Sequence, residues 1–99
     1  MQFVVIAYDG ADKDAPARRL NAREAHLAGV EAQKEQGRHL LGAAMLDEEG
    51  GMKGSIMIVE YENEAALHSQ WLDHEPYVTQ NVWQTITITP CRVPGFFLR

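Results

Sequence analysis

Two short runs constrain this chain more than anything else in it. Phe3 to Tyr8 (Phe-Val-Val-Ile-Ala-Tyr) and Ser55 to Tyr61 (Ser-Ile-Met-Ile-Val-Glu-Tyr) are rich in β-branched and aromatic residues, with no polar alternation through their centres. A strand with one wet face alternates apolar and polar residues, so a run without alternation is expected to be a central strand covered on both faces. A chain of 99 residues has material for one core. Both runs therefore belong in the middle of one sheet, in a single domain spanning residues 1–99.

The segments between them complete the pattern. After the turn residues Asp9 to Asp12, Asp14 stands as a possible cap and Pro16 in the first turn of a helix. That helix runs to about Gln36, carries Leu20, Ala22, Leu27 and Val30 among charged residues, and is stopped by Gly37. Arg38 to Leu46 mixes signals, because Leu, Ala and Met favour helices. Gly42 and the turn that follows favour a strand. Asp47 to Gly51 reads as an acidic hairpin tip with two glycines for positive φ. Asn63 caps a second helix, which Pro76 ends around Asp73 to Glu75. Trp83 to Thr89 alternates and predicts a last strand with one wetter face, Trp83 grouped with the threonines against Ile86 and Ile88. The order strand, helix, strand, strand, helix, strand is that of the ferredoxin-like α+β fold, βαββαβ. Right-handed crossovers place both helices on one face of a four-stranded antiparallel sheet. The other face is then bare and apolar, which predicts a homodimer with sheets packed face to face.

Charge and composition exclude several classes. A net charge of -5 and a pI near 5.2 argue against nucleic acid as partner, since phosphate binders gather Lys and Arg on one face. No apolar run reaches the roughly 18 residues of a membrane span, and no signal-like segment opens the chain, so a cytoplasmic protein with no membrane partner is expected. Cys91 is the sole cysteine, which rules out an internal disulfide and suits a reducing compartment. It follows Pro90 and reads better as a small apolar residue than as a nucleophile. Four histidines show no metal-ligand spacing, and no glycine-rich phosphate loop occurs. Neither metal nor cofactor is expected. Phe96, Phe97 and Leu98 near the end form an apolar cluster of the kind that meets a partner surface and so offer a surface for higher oligomers.

What remains as chemistry is Arg23-Glu24-Ala25-His26. Residues three apart on a helix are neighbours, so Arg23 and His26 share a side. Histidine takes or gives a proton near neutral pH, and Arg23 can clamp a carboxylate or phenolate or stand as a surface charge.

These residues, with the strand Phe3 to Asp9, the segment Gly54-Ser55-Ile56-Met57-Ile58, and Trp71 followed by Glu75-Pro76-Tyr77-Val78, resemble the YciI-like, YCII-related family of dimeric α+β barrel proteins over nearly the whole chain. The resemblance implies a small-molecule enzyme: relatives include a dehydrochlorinase acting on a hydroxylated aromatic and, further off, muconolactone isomerase. It also implies a dyad of the helix histidine with the acidic residue before the proline, which is normally aspartate and is Glu75 here. Asp73 is the alternative partner if the loop is shifted. A carboxylate on one imidazole nitrogen leaves the other free as general base. The expected site is then His26 with Glu75 or Asp73, Arg23 as substrate clamp, and Tyr77 and Trp71 as an apolar wall. The favoured chemistry is a cofactor-free lyase or isomerase. A cofactor-free monooxygenase and a non-catalytic binding or accessory protein, with His26 and Glu75 as a structural clasp, stay open.

Overall fold

In the computed structural model, which describes residues 1–99, the chain runs β1 (Gln2–Asp9), α1 (Ala15–Glu35), β2 (His39–Leu46), β3 (Met52–Glu60), α2 (Glu64–Gln70), a 3-10 turn (Leu72–His74), a one-turn helix α3 (Pro76–Thr79) and β4 (Trp83–Cys91). A last 3-10 turn covers Gly95–Leu98. The strands form one antiparallel sheet in the order β2-β3-β1-β4, the ferredoxin-like arrangement, with the two apolar runs at its centre as expected.

Local chemistry sets most boundaries. Gly37, at φ 76°, ends α1, whose basic Lys34 lies in the last turn. Asp14 is the cap of α1 but its side chain makes no capping bond; Asp12 accepts from the Asp14 amide instead. Asn63 Oδ1 caps α2 through the Ala66 amide at 2.8 Å. At the hairpin tip only Gly50 has positive φ. Asp47 Oδ1 gathers the amides of Glu49 and Gly51 there. Gly54 is required for a different reason: a Cβ there would run into the carbonyl oxygen of Ala7 on the neighbouring strand.

One face of the sheet carries the core. Phe3, Val5 and Ala7 of β1 and Met57 and Val59 of β3 pack under Ala22 of α1 and under Leu67, Trp71, Leu72 and Tyr77. Each is at most 5% exposed, so burial of this layer supplies the main stabilisation. The other face is not covered within the chain. Val4, Ile6, Ile56 and Ile58 are half-buried and Leu41 is exposed, so the central strands are covered on one face only.

Helix α1 also departs from expectation. Its buried stripe is Ala15, Arg19, Ala22 and His26, while Leu20 and Leu27 are 65% and 44% exposed. Two small and two polar residues form the inner face, which keeps the helix close to the sheet and brings two titratable side chains inside. In β4 a register shift between Tyr8 and Asp9 turns Trp83 into the core, away from the exposed threonines with which strict alternation would group it. Pro90 falls inside β4, which is tolerated because β4 is an edge strand.

Candidate functional site

The break before Pro76 builds the site. Glu75 is extended (φ -64°, ψ 125°), as a residue before proline prefers, and is the N-cap of α3. Its Oε1 accepts from the Tyr77 amide at 3.2 Å and its Oε2 from Trp71 Nε1 at 2.9 Å. Oε1 also meets His26 Nδ1 at 2.5 Å across the gap between α3 and α1. The carboxylate is 2% exposed and has three donors, which is how a buried acidic group is kept satisfied. With Nδ1 donating to Glu75, no hydrogen bond within the chain engages His26 Nε2. The imidazole stacks on Tyr77 at 3.9 Å between ring centroids and 10° between planes.

A second network fixes the neighbouring wall. Arg19, 4% exposed, donates through Nη1 to both oxygens of Asp9 and through Nη2 to Ser55 Oγ at 3.0 Å. Trp83 Nε1 donates to the same Oγ at 3.2 Å. Both lone pairs of the Ser55 hydroxyl are thus engaged, and its hydrogen is left for a further acceptor. Arg19 also lies over the Tyr77 ring, 4.8 Å from its centroid. Burial pushes the Tyr77 hydroxyl above its usual range, against the pull of Arg19 and Arg23, and it remains a neutral phenol at pH 7.

Both networks open on one pocket of about 210 Å³, room for a single-ring molecule. Its polar lining is Arg19, Arg23, His26, His39 and Ser55; its apolar lining includes Leu27, Val30, Met52, Met57 and Tyr77. The arrangement offers an unengaged imidazole nitrogen, an undirected hydroxyl hydrogen and, at the exposed rim, the Arg23 guanidinium.

The sequence-predicted residues divide as follows. His26, Glu75, Tyr77 and Arg23 come together at this pocket or directly behind it. Asp73 does not: it is exposed and faces His68 at 3.9 Å, so Glu75 holds the partner position and the loop is not shifted. Trp71 is no pocket wall but a buried core residue that holds Glu75 from behind. The extra methylene of Glu75 is accommodated because both its oxygens have fixed donors. Arg19, Ser55 and His39 were not singled out from the sequence. Arg19 had a signal, since it precedes His26 by seven residues on the same helical face. Ser55 had one too, as the polar residue that opens an apolar run.

Sheet order, a one-sided helix layer and a pocket enclosed between them define a ferredoxin-like α+β protein of the kind found in dimeric α+β barrels. Within that class the chain belongs to the YCII-related domain family, whose model matches residues 1–92. It is 33% identical to the protein YciI of Escherichia coli O6:H1 over 96 residues, covering 91% of this chain and 95% of that one. YciI of Shigella flexneri matches to the same extent. Among solved structures, 5-chloro-2-hydroxyhydroquinone dehydrochlorinase of Burkholderia phenoliruptrix AC1100, in complex with 2,5-dihydroxybenzoquinone, is similar at TM-score 0.79 and 21% identity, over 97% of this chain and 98% of that one. An antibiotic biosynthesis monooxygenase is similar at TM-score 0.53 and 18% identity, over 95% and 100%. These two likenesses establish the shared fold.

Proposed function

We propose that this protein is a cofactor-free lyase or isomerase that moves a proton on a small hydroxylated ring, with His26 as general base. The observation that carries the reading is the 2.5 Å contact of His26 Nδ1 with buried Glu75, which leaves Nε2 unengaged on a pocket of single-ring size. Glu75 orients the ring and stabilises the imidazolium that forms. His26 Nε2 takes the proton of a substrate hydroxyl and returns it to a ring carbon, converting the enol to its keto tautomer. Where that carbon bears a halogen, His26 Nε2, neutral again, takes the proton of another ring hydroxyl, whose electrons form a second carbonyl through the ring and expel halide with its bonding pair. Ser55 donates to the oxygen on which negative charge develops, and Arg23 at the rim meets an anionic oxygen. The likeness to a dehydrochlorinase favours this reading over oxygenation. The working form is a homodimer packed through the open sheet face, supported by the half-buried residues Val4, Ile6, Ile56 and Ile58.

Turnover of a chlorinated hydroxyhydroquinone, with solvent deuterium entering the product, tests it. His26→Gln should lower the rate by about 100-fold or more with the fold intact. Oxygen consumption with a phenolic substrate would replace this reading with a monooxygenase. Binding without turnover, with His26→Gln changing thermal stability alone, would replace it with a binding protein.

A further inference from the structure

His39 is the buried polar side chain that neither network uses. It opens β2, is 4% exposed, and sits edge-on to Trp71 with ring centroids 5.4 Å apart. Its Nδ1 meets Gln33 Oε1 at 3.2 Å, and because that oxygen can only accept, the ring proton resides on Nδ1. Nε2 is then a bare acceptor, and it has no hydrogen-bond partner. A buried, unpaired acceptor destabilises a fold unless something outside the chain completes it.

The surroundings of Nε2 indicate where the partner comes from. Gly42 pairs with Met57 across the sheet, and both line the pocket with His39. A Cβ at Gly42 would stand 3.8 Å from His39 Nε2, 3.9 Å from its Cδ2 and 3.9 Å from Met57 Cγ. The absent side chain thus leaves a notch in the wall, bordered by the acceptor edge of His39. Burial also holds the His39 pKa down to about 4, with His26 acting in the same direction and Glu75 opposing, so the ring is neutral and Nε2 keeps its lone pair at pH 7.

We propose that His39 is a specificity-determining residue: its Nε2 accepts a hydrogen bond from a second hydroxyl of the molecule in the pocket, so the substrate class is a single ring bearing at least two hydroxyls. This rests on the reading of His26 as the acceptor of the first. A site with two fixed acceptors prefers the diol over a ring with one hydroxyl, because only the diol supplies the buried second acceptor with the hydrogen bond it lacks in the free protein.

Calorimetric titration of the protein with phenol, catechol, resorcinol and hydroquinone tests the proposal. The wild type should bind at least one benzenediol about 10- to 100-fold tighter than phenol. His39→Leu should bring that ratio to about one while leaving phenol affinity within about twofold. Gly42→Ala, which fills the notch at ordinary contact distance, should do the same with His39 still present. Nitrogen-15 NMR of the histidine side chains should show the Nδ1–H tautomer of His39 and a shift of Nε2 when the preferred diol saturates the site. His26→Gln should weaken phenol and diol together and preserve their ratio. If His26→Gln retains turnover, the general-base reading fails. A diol preference that survives His39→Leu, an Nε2 resonance unmoved by the diol, or no benzenediol preferred or bound by the wild type overturns the role of His39.

Discussion

His26 and His39 stand on the walls of one pocket and are given different work by their neighbours. His26 has a carboxylate on Nδ1; His39 has an amide oxygen there and burial around it. The second environment makes stability depend on pH. An unfolded chain takes up a proton on His39 below pH 6.5, and the folded chain resists until about pH 4. Stability should therefore fall as pH drops from 6.5 toward 4, by on the order of 3 kcal/mol from this residue. Urea denaturation across that range should show the loss in the wild type and a much flatter curve in His39→Leu. At this scale the sequence made His26, Glu75 and Tyr77 legible through their motif and hid His39. A lone histidine after Gly37-Arg38 carries no spacing signal, and its place in the pocket wall depends on β2 lying next to β3.

Elements were more readable than side chains, because caps and breakers act locally. Asn63 and Gly37 each fix a boundary by their own chemistry where the sequence puts it, whereas α2 stops at Gln70, short of the break expected at Asp73 to Glu75, and Pro76 opens α3 instead. Asn63→Ala should cost about 1 kcal/mol, seen as a lower denaturation midpoint with an unchanged denaturant slope. The inner face of α1 was harder to read. Leucines at 20 and 27 look like the core side, yet the stripe at 15, 19, 22 and 26 is the buried one. What decides the choice is tertiary: Asp9 at the end of β1 and Glu75 before α3 supply the charges that let Arg19 and His26 go inside. Trp83 was misplaced for a similar reason, since a bulge resets alternation and leaves no mark in composition.

The molecule as a whole exposes a sheet face that is too apolar for its surroundings. Ile6 and Ile56 pair across β1 and β3, next to Val4 and Ile58, with Leu41 at the side. The turn at Gly95–Leu98 reaches one end of this face, where Phe97 and Leu98 border Val4, Leu41 and Ile58. Phe96 and Phe97 themselves remain exposed. For the proposed homodimer, Ile56→Lys puts a charge at the centre of the packed faces. Light scattering should show a dimer for the wild type at micromolar concentration and a monomer with native circular dichroism for the variant. An unchanged mass would remove this face from the interface. The architecture could be read from the order of the strands, because only a few topologies suit that order. The degree of cover on each face could not, because an unbroken apolar run looks the same whether its second cover comes from the same chain or another.

Glu75 joins three parts of the molecule through two oxygens, closing the start of α3, anchoring a core tryptophan and gripping His26. In evolutionary terms, chemistry and foldedness are written at one address. A library varied at positions 71, 75 and 77 will mostly return proteins that fail twice, and its survivors will say little about substrate. Arg23, Leu27, Val30 and Met52 line the same pocket from exposed or half-exposed places. There the chain is free to change what it accepts while keeping how it works, and new specificities in this scaffold should arise at that rim.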